Sequence, residues 1–138
     1  MRYLVIGSGP AGISAAEEIR KEDPESPITM ITADPHPACS PVMLTYWVSG
    51  RYPRESLFFR DVESWAAAHQ VDLRCGVTVT AIDVHRQAAK LSAGDDITYD
   101  RLLIATGAVP MIPPIPGIRT GGVYTFRTFA DARGIRTW

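Results

Sequence analysis

The chain has 138 residues, 46% of them hydrophobic and 21% charged, with a formal net charge of −1 at pH 7. These values fit one folded domain and exclude a disordered chain, while lysines and arginines scattered along the sequence leave no footprint for nucleic acid or an anionic membrane surface. No apolar run is long enough to span a bilayer, and Met1-Arg2 leads into a strand-like segment rather than a cleavable leader, so a cytoplasmic protein is expected.

In chain order, Tyr3-Leu4-Val5-Ile6 is a short apolar run ending at glycine, which predicts a parallel strand buried on both faces. Ala11, Ala15 and Ile19 then recur at helical spacing with Glu17, Glu18, Lys21 and Glu22 on the opposite face, until Pro24 stops the helix. Ile28 to Ile31 supplies a second strand and completes a βαβ unit. The prolines of "ADPHPACSP" exclude regular structure, and Val42 to Val48 reads as a short helix. "RDVESWAAAHQ" predicts a helix with Trp65 and Ala68 inward, followed by the strand "VDLRCG". From Val77 to Asp100 the texture becomes that of an antiparallel meander, turning at Gly94-Asp95-Asp96. "RLLIA" predicts another fully apolar strand ending at glycine, "VPMIPPIPG" a proline-ruled linker, and "GVYTF" one more strand. Thr128 with Asp131 marks a helix start, and the chain stops at Trp138 within that helix, as a truncated domain would.

The loop Gly7-Ser8-Gly9-Pro10-Ala11-Gly12 is a full GxGxxG between strand and helix. Such a loop turns sharply at its first glycine, lets backbone approach a pyrophosphate at its second, and packs helix on strand at its third. The phosphate is held by the helix N-terminus and needs no cation. The plainer alternative is an ordinary tight loop. A ribose-binding acid is expected about 20 residues on. The second strand runs into Thr32 there, and Asp34 is the acid within reach, either on the ribose or opening a turn ahead of Pro35.

"VIGSGPAG" followed some 90 residues later by "TYDRLLIATGAVP" resembles the FAD-dependent pyridine nucleotide-disulfide oxidoreductase family. The NADH oxidase, ferredoxin or rubredoxin reductase and nitrite reductase-like branch is the most similar. "DPHPACSPVMLTYWVSG", "VTVTAIDVH" and "GVYTFRTFADAR" resemble segments of that branch in the same order. The resemblance implies an α/β, Rossmann-like FAD/NAD(P)-binding fold: a parallel sheet, flanking helices and a small β meander. Residues 1–138 would form the N-terminal portion of the FAD domain, with the NAD-binding and interface domains absent. It further implies that Gly7, Ser8, Gly9, Pro10, Ala11 and Gly12 cradle the FAD pyrophosphate and Asp34 takes the ribose. Val79 would meet adenine, Ala105-Thr106-Gly107 would pass close to the cofactor, and Ser40 and Pro41 would approach the flavin. NAD(P)H would be a substrate of the whole family architecture, its site absent here.

No triad, zinc spacing or carboxylate pair presents itself, as expected where a flavin carries the electron chemistry. Cys39 lies three residues before the place of the flavin-facing cysteine in thiol-using members, and packing is its plainer role. Cys39 and Cys75 are expected to be free thiols. His36, between two prolines, reads as a surface-loop residue, and Tyr46, Trp47, Tyr52, Phe58 and Phe59 as core. Two other functions remain open: the NAD-binding module of a simple dehydrogenase, and a non-catalytic fragment that self-associates or joins a missing C-terminal portion.

Overall fold

The computed structural model describes residues 1–36, 39–58 and 61–138. In chain order the elements are β1 (Tyr3–Ile6), α1 (Pro10–Glu22), β2 (Ile28–Thr32), α2 (Pro41–Val48), α3 (Val62–Ala68), β3 (Val71–Cys75), β4 (Val79–Asp83), β5 (Ala88–Leu91), β6 (Asp96–Thr98), β7 (Arg101–Ile104) and α4 (Phe129–Thr137). A 3-10 turn over Arg54–Leu57 separates α2 from α3. The chain divides into two compact units, Met1–Ala38 with Arg60–Gly107, and Cys39–Phe59 with Ala108–Trp138.

The first unit is built on a parallel sheet of order β3-β2-β1-β7, in which Tyr3 faces Ile28 on one side and Arg101 on the other. Side chains alternate across a strand, so β1 feeds both faces. Val5, with Ile28 and Met30, packs beneath Ile13 and Ala16 of α1 and Val62, Trp65 and Ala66 of α3. Leu4 and Ile6, with Ile31, pack against Ala89, Leu91 and Tyr99 of the β4-β5-β6 meander. Two-sided burial explains why this run is apolar throughout rather than alternating, as its sequence predicts.

The helix phases differ from the sequence reading. In α1 the buried residues are Gly12, Ile13 and Ala16, whereas Ala11 is exposed and Ala15 and Ile19 are half-buried. Starting at Pro10 turns Gly12, and not Ala11, onto β1. In α3, Trp65 points inward as expected, but its buried neighbour is Ala66 and Ala68 is exposed. Asp61 starts that helix by accepting the N–H groups of Glu63 and Ser64.

β7 also departs from expectation, because it forms the sheet edge. Leu102 packs on the meander side, while Leu103 is 36% and Ile104 60% exposed. An apolar strand is buried on both faces only where neighbouring elements cover it.

The second unit packs α2 on α4 around Leu44, Trp47, Leu57, Phe129 and Ala132. The Trp47 and Phe129 rings lie 5.2 Å apart, and Phe58 and Phe129 5.9 Å apart. Of the aromatic residues expected in a core, Trp47 is buried and Phe58 half-buried. Tyr46 and Tyr52 instead meet edge to face in solvent, and Phe59 lies outside the described residues. The proline segment forms neither helix nor strand, as predicted, but "GVYTF" is not a strand either. No strand pairs with it among the described residues, and Gly122, at φ +87°, is packed beneath the Trp138 indole. The α4 start is the predicted one: Thr128 Oγ1 accepts the Asp131 N–H, and the Asp131 carboxylate accepts those of Thr128 and Arg127.

Candidate nucleotide site

All four strands of the parallel sheet point the same way, so their C-terminal ends share one edge, where ligands of such sheets bind. The turns leaving them are tied together. Gly7 N–H donates to Ile31 O at 2.7 Å, Ala105 N–H to Ile6 O at 2.8 Å, and Val77 N–H to Thr32 O at 3.0 Å. The glycine loop after β1 is therefore braced by β2 and β7 together.

Its three glycines do different jobs. A Cβ on Gly7, which holds φ +109°, would fall well under 3.0 Å from the Ala105 carbonyl. One on Gly12 would fall equally far inside contact with the Gly7 carbonyl oxygen. These two glycines let backbone pack on backbone. Gly9 is the exception: a Cβ there would meet nothing within 4 Å. Packing does not require glycine at position 9, and the space above it is open.

Gly9 is also the N-cap of α1, with φ −70° and no side chain to cap the helix. Pro10 has no N–H, Ile13 N–H donates to Gly9 O, and helix geometry leaves the N–H groups of Ala11 and Gly12 without intrahelical acceptors. No acid occupies the first turn, and Arg20 and Lys21 occupy the last. The charge pattern leaves the positive end of the helix dipole open to an anion. Ser8 is buried within the loop, and Pro10 and Ala11 are exposed. The donors, the dipole and the open space at Gly9 fit a pyrophosphate such as that of FAD.

Asp34 sits where the chain leaves β2, half-buried. Its Oδ1 accepts the His36 N–H at 2.9 Å, its own N–H donates to Thr32 Oγ1 at 3.3 Å, and its carbonyl accepts the Gly76 N–H at 3.3 Å. It thus opens a turn ahead of Pro35, and one carboxylate oxygen already has a donor. Val79 is half-buried at the start of β4, and Ala105, Thr106 and Gly107 follow β7 as irregular backbone with Gly107 at φ +70°.

Cys75 ends β3 opposite Thr32 and is exposed. Burial of the thiol, with Glu63 and Asp34 nearby, raises its pKa, which disfavours the reactive thiolate. As expected, no disulfide joins Cys75 to Cys39. In the second unit, Cys39 pairs with Phe58 in an isolated bridge, Ser40 is the N-cap of α2 and donates its N–H to Leu57 O, and Pro41 is the first residue of that helix. His36 is half-buried in its loop, and Pro37 lies outside the described residues. No helix among the described residues is long and apolar enough to cross a membrane, and no group of three metal-ligating side chains occurs among them.

One organising residue escaped the sequence reading. Arg20 donates to the carbonyls of Asp23, Pro24 and Ser26 and reaches across to those of His69 and Gln70. It ties the end of α1 to the end of α3, below the glycine loop's helix. Only its place in the last turn, near carbonyls that lack helical donors, hinted at this role.

The chain is 42% identical over 135 residues to the NADH-dependent phenylglyoxylate dehydrogenase subunit epsilon of Aromatoleum evansii, covering 98% of this chain and 32% of that one. It is 34% identical over 140 residues to an NADH oxidase of Methanocaldococcus jannaschii, covering 98% and 31%. Among solved structures, an NAD-dependent persulfide reductase from A. fulgidus superposes with a TM-score of 0.91 at 34% identity, covering 98% of this chain and 26% of that one. The chain thus spans about a third or less of the length of these relatives. The family model for pyridine nucleotide-disulphide oxidoreductases, FAD- and NAD(P)H-dependent enzymes, matches residues 1–137. With a parallel sheet, a glycine loop at a helix N-terminus and this match over nearly its whole length, the chain belongs to the pyridine nucleotide-disulphide oxidoreductase family.

Proposed function

We propose that this chain is the FAD-cradling segment of an oxidoreductase that takes hydride from NAD(P)H and passes electrons through the flavin to an acceptor. The observation that carries the reading is the open space above Gly9, at a helix N-terminus with unused N–H donors and no capping side chain. When bound, FAD would supply the two-electron chemistry. The residues' own tasks are to bind and orient. The N–H groups of Ala11 and Gly12 hold the pyrophosphate, the remaining carboxylate oxygen of Asp34 accepts a ribose hydroxyl, and Val79 offers main-chain groups to adenine. Ala105-Thr106-Gly107 lines the cofactor's path, and Ser40 and Pro41 approach the flavin side. Cys39 packs rather than reacts.

The length ratio to its relatives supports a second part of the proposal: by itself the chain turns over little. The test is a visible spectrum of the purified chain after incubation with FAD and desalting, with NADH oxidation followed in parallel. Retained flavin bands without NADH oxidation are the expected result. A colourless chain that binds NADH in preference to FAD would replace this reading with that of an NAD-binding module of a simple dehydrogenase.

A further inference from the structure

The near-neutral total charge conceals a division between the units. The second unit carries six arginines, no lysine and two carboxylates, a net charge of +4. The first unit is correspondingly acidic, and its excess lies in the α1–α3 layer: residues 17–25 and 61–63 hold seven carboxylates against two cations. The scattered pattern seen along the sequence is thus sorted by folding.

Four of the six arginines lie on or beside α2 and α4. Arg136 lies over the Trp47 ring with its Cζ 4.9 Å from the centroid and donates to Trp47 O, while Arg54 lies 5.1 Å from the Phe129 centroid. Arg133 is one turn before Arg136 on α4, and Arg51 follows the end of α2, its N–H bonded to Tyr46 O. No carboxylate among the described residues forms an ion pair with any of the six. Rings already hold Arg54 and Arg136 in place, so pairing them costs less side-chain entropy than pairing free lysines. On the acidic layer, Glu22, Glu25 and Glu63 are exposed.

We propose that the arginine face of the second unit docks on the acidic α1–α3 layer of a second copy of this chain. Each copy carries both faces, so unlike surfaces meet. Pairing two arginine faces would set like charges against each other, which is unfavourable. The contact is polar, so it is weak and sensitive to salt, with a screening length of about 30 Å at 0.01 M and 3 Å at 1 M.

Sedimentation velocity over a concentration series at both salt levels tests this. The expected result is a weight-average mass that rises above 15.1 kDa with concentration at low salt, without a fixed limit because unlike faces meet, and returns to 15.1 kDa at high salt. Arg133→Glu with Arg136→Glu, and separately Glu22→Arg with Glu25→Arg, should each weaken association at least about tenfold, as loss of charge complementarity predicts. An equimolar mixture of the two variants should recover it, because one complementary pair of faces is rebuilt with reversed signs. Circular dichroism of each variant separates loss of contact from loss of fold; if the arginine variant unfolds, Arg133→Glu alone takes its place. A chain that stays monomeric at low salt, association that survives high salt, or failure of the mixture to recover would each overturn the proposal.

Discussion

Replacing the three loop glycines one at a time by alanine should separate the loop's structural role from its binding role. At position 7 the new methyl meets the Ala105 carbonyl, 2.7 Å from its carbon, in a backbone that L-residues rarely adopt. Overpacking costs about 1–3 kcal/mol and the strained backbone about 1–3 kcal/mol more, so a loss of roughly 4 kcal/mol is expected. That is a large part of the ~5–15 kcal/mol that holds a domain of this size together. Gly12→Ala meets the Gly7 carbonyl but keeps an ordinary helical backbone, so only the overpacking cost of about 1–3 kcal/mol, roughly 2, is expected. Gly9→Ala meets nothing and changes only the N-cap preference, about 0.5–1 kcal/mol. With roughly 4 °C of melting temperature per kcal/mol in a chain of this length, the midpoint of thermal denaturation followed by circular dichroism should drop by about 16 °C for position 7 and about 8 °C for position 12, but no more than about 4 °C for position 9. FAD affinity reads the other way: Gly9→Ala should weaken binding at least about tenfold while the chain stays folded, because its methyl occupies the space where the pyrophosphate approaches. Gly9→Ala melting as early as Gly7→Ala, or binding FAD as the parent does, would refute this division of roles.

Other expectations follow from the same geometry. Asp34→Asn keeps an oxygen for the His36 N–H and should preserve the fold but weaken FAD binding, whereas Asp34→Ala should also loosen the turn; isothermal titration against thermal melting separates the two. Arg20→Met removes the donor shared by five carbonyls and should cost about 2–3 kcal/mol in urea unfolding, with Arg20→Lys recovering only part because an ammonium cannot span both helix ends. Thr128→Ala breaks the α4 cap and should cost about 1 kcal/mol in the same assay. Burial pushes the Asp131 carboxyl up, but the N–H groups of Thr128 and Arg127 and the hydroxyls of Thr125 and Thr128 outweigh it and hold its pKa below the ordinary 3.8. Its contribution is therefore full above 3.8 and is lost as pH falls through the lower folded value; Asp131→Asn should flatten the acid limb of a stability–pH curve, and an unchanged limb would refute this assignment.

The sequence by itself determined the elements whose signal is local. The β1 run is apolar because it is covered on both faces, the glycine spacing set a turn into a helix, and Thr128 with Asp131 announced a cap whose bonds join residues three apart. It also indicated the family, since two glycine turns in the right order flank the meander. Tertiary structure decided what depends on distant partners. Gly7, Gly9 and Gly12 look alike in the sequence, and only the folded chain shows that the first packs on the Ala105 carbonyl and the third on the Gly7 carbonyl while the space above the second is open. β7 resembles β1 in composition yet lies at the sheet edge, because burial belongs to the neighbours of a strand and not to the strand. "GVYTF" has the composition of a strand but pairs with none among the described residues. Arg20 and the sorting of charge between the two units were invisible for the same reason: carbonyls 50 residues away and arginines from segments 80 residues apart come together only when the chain folds.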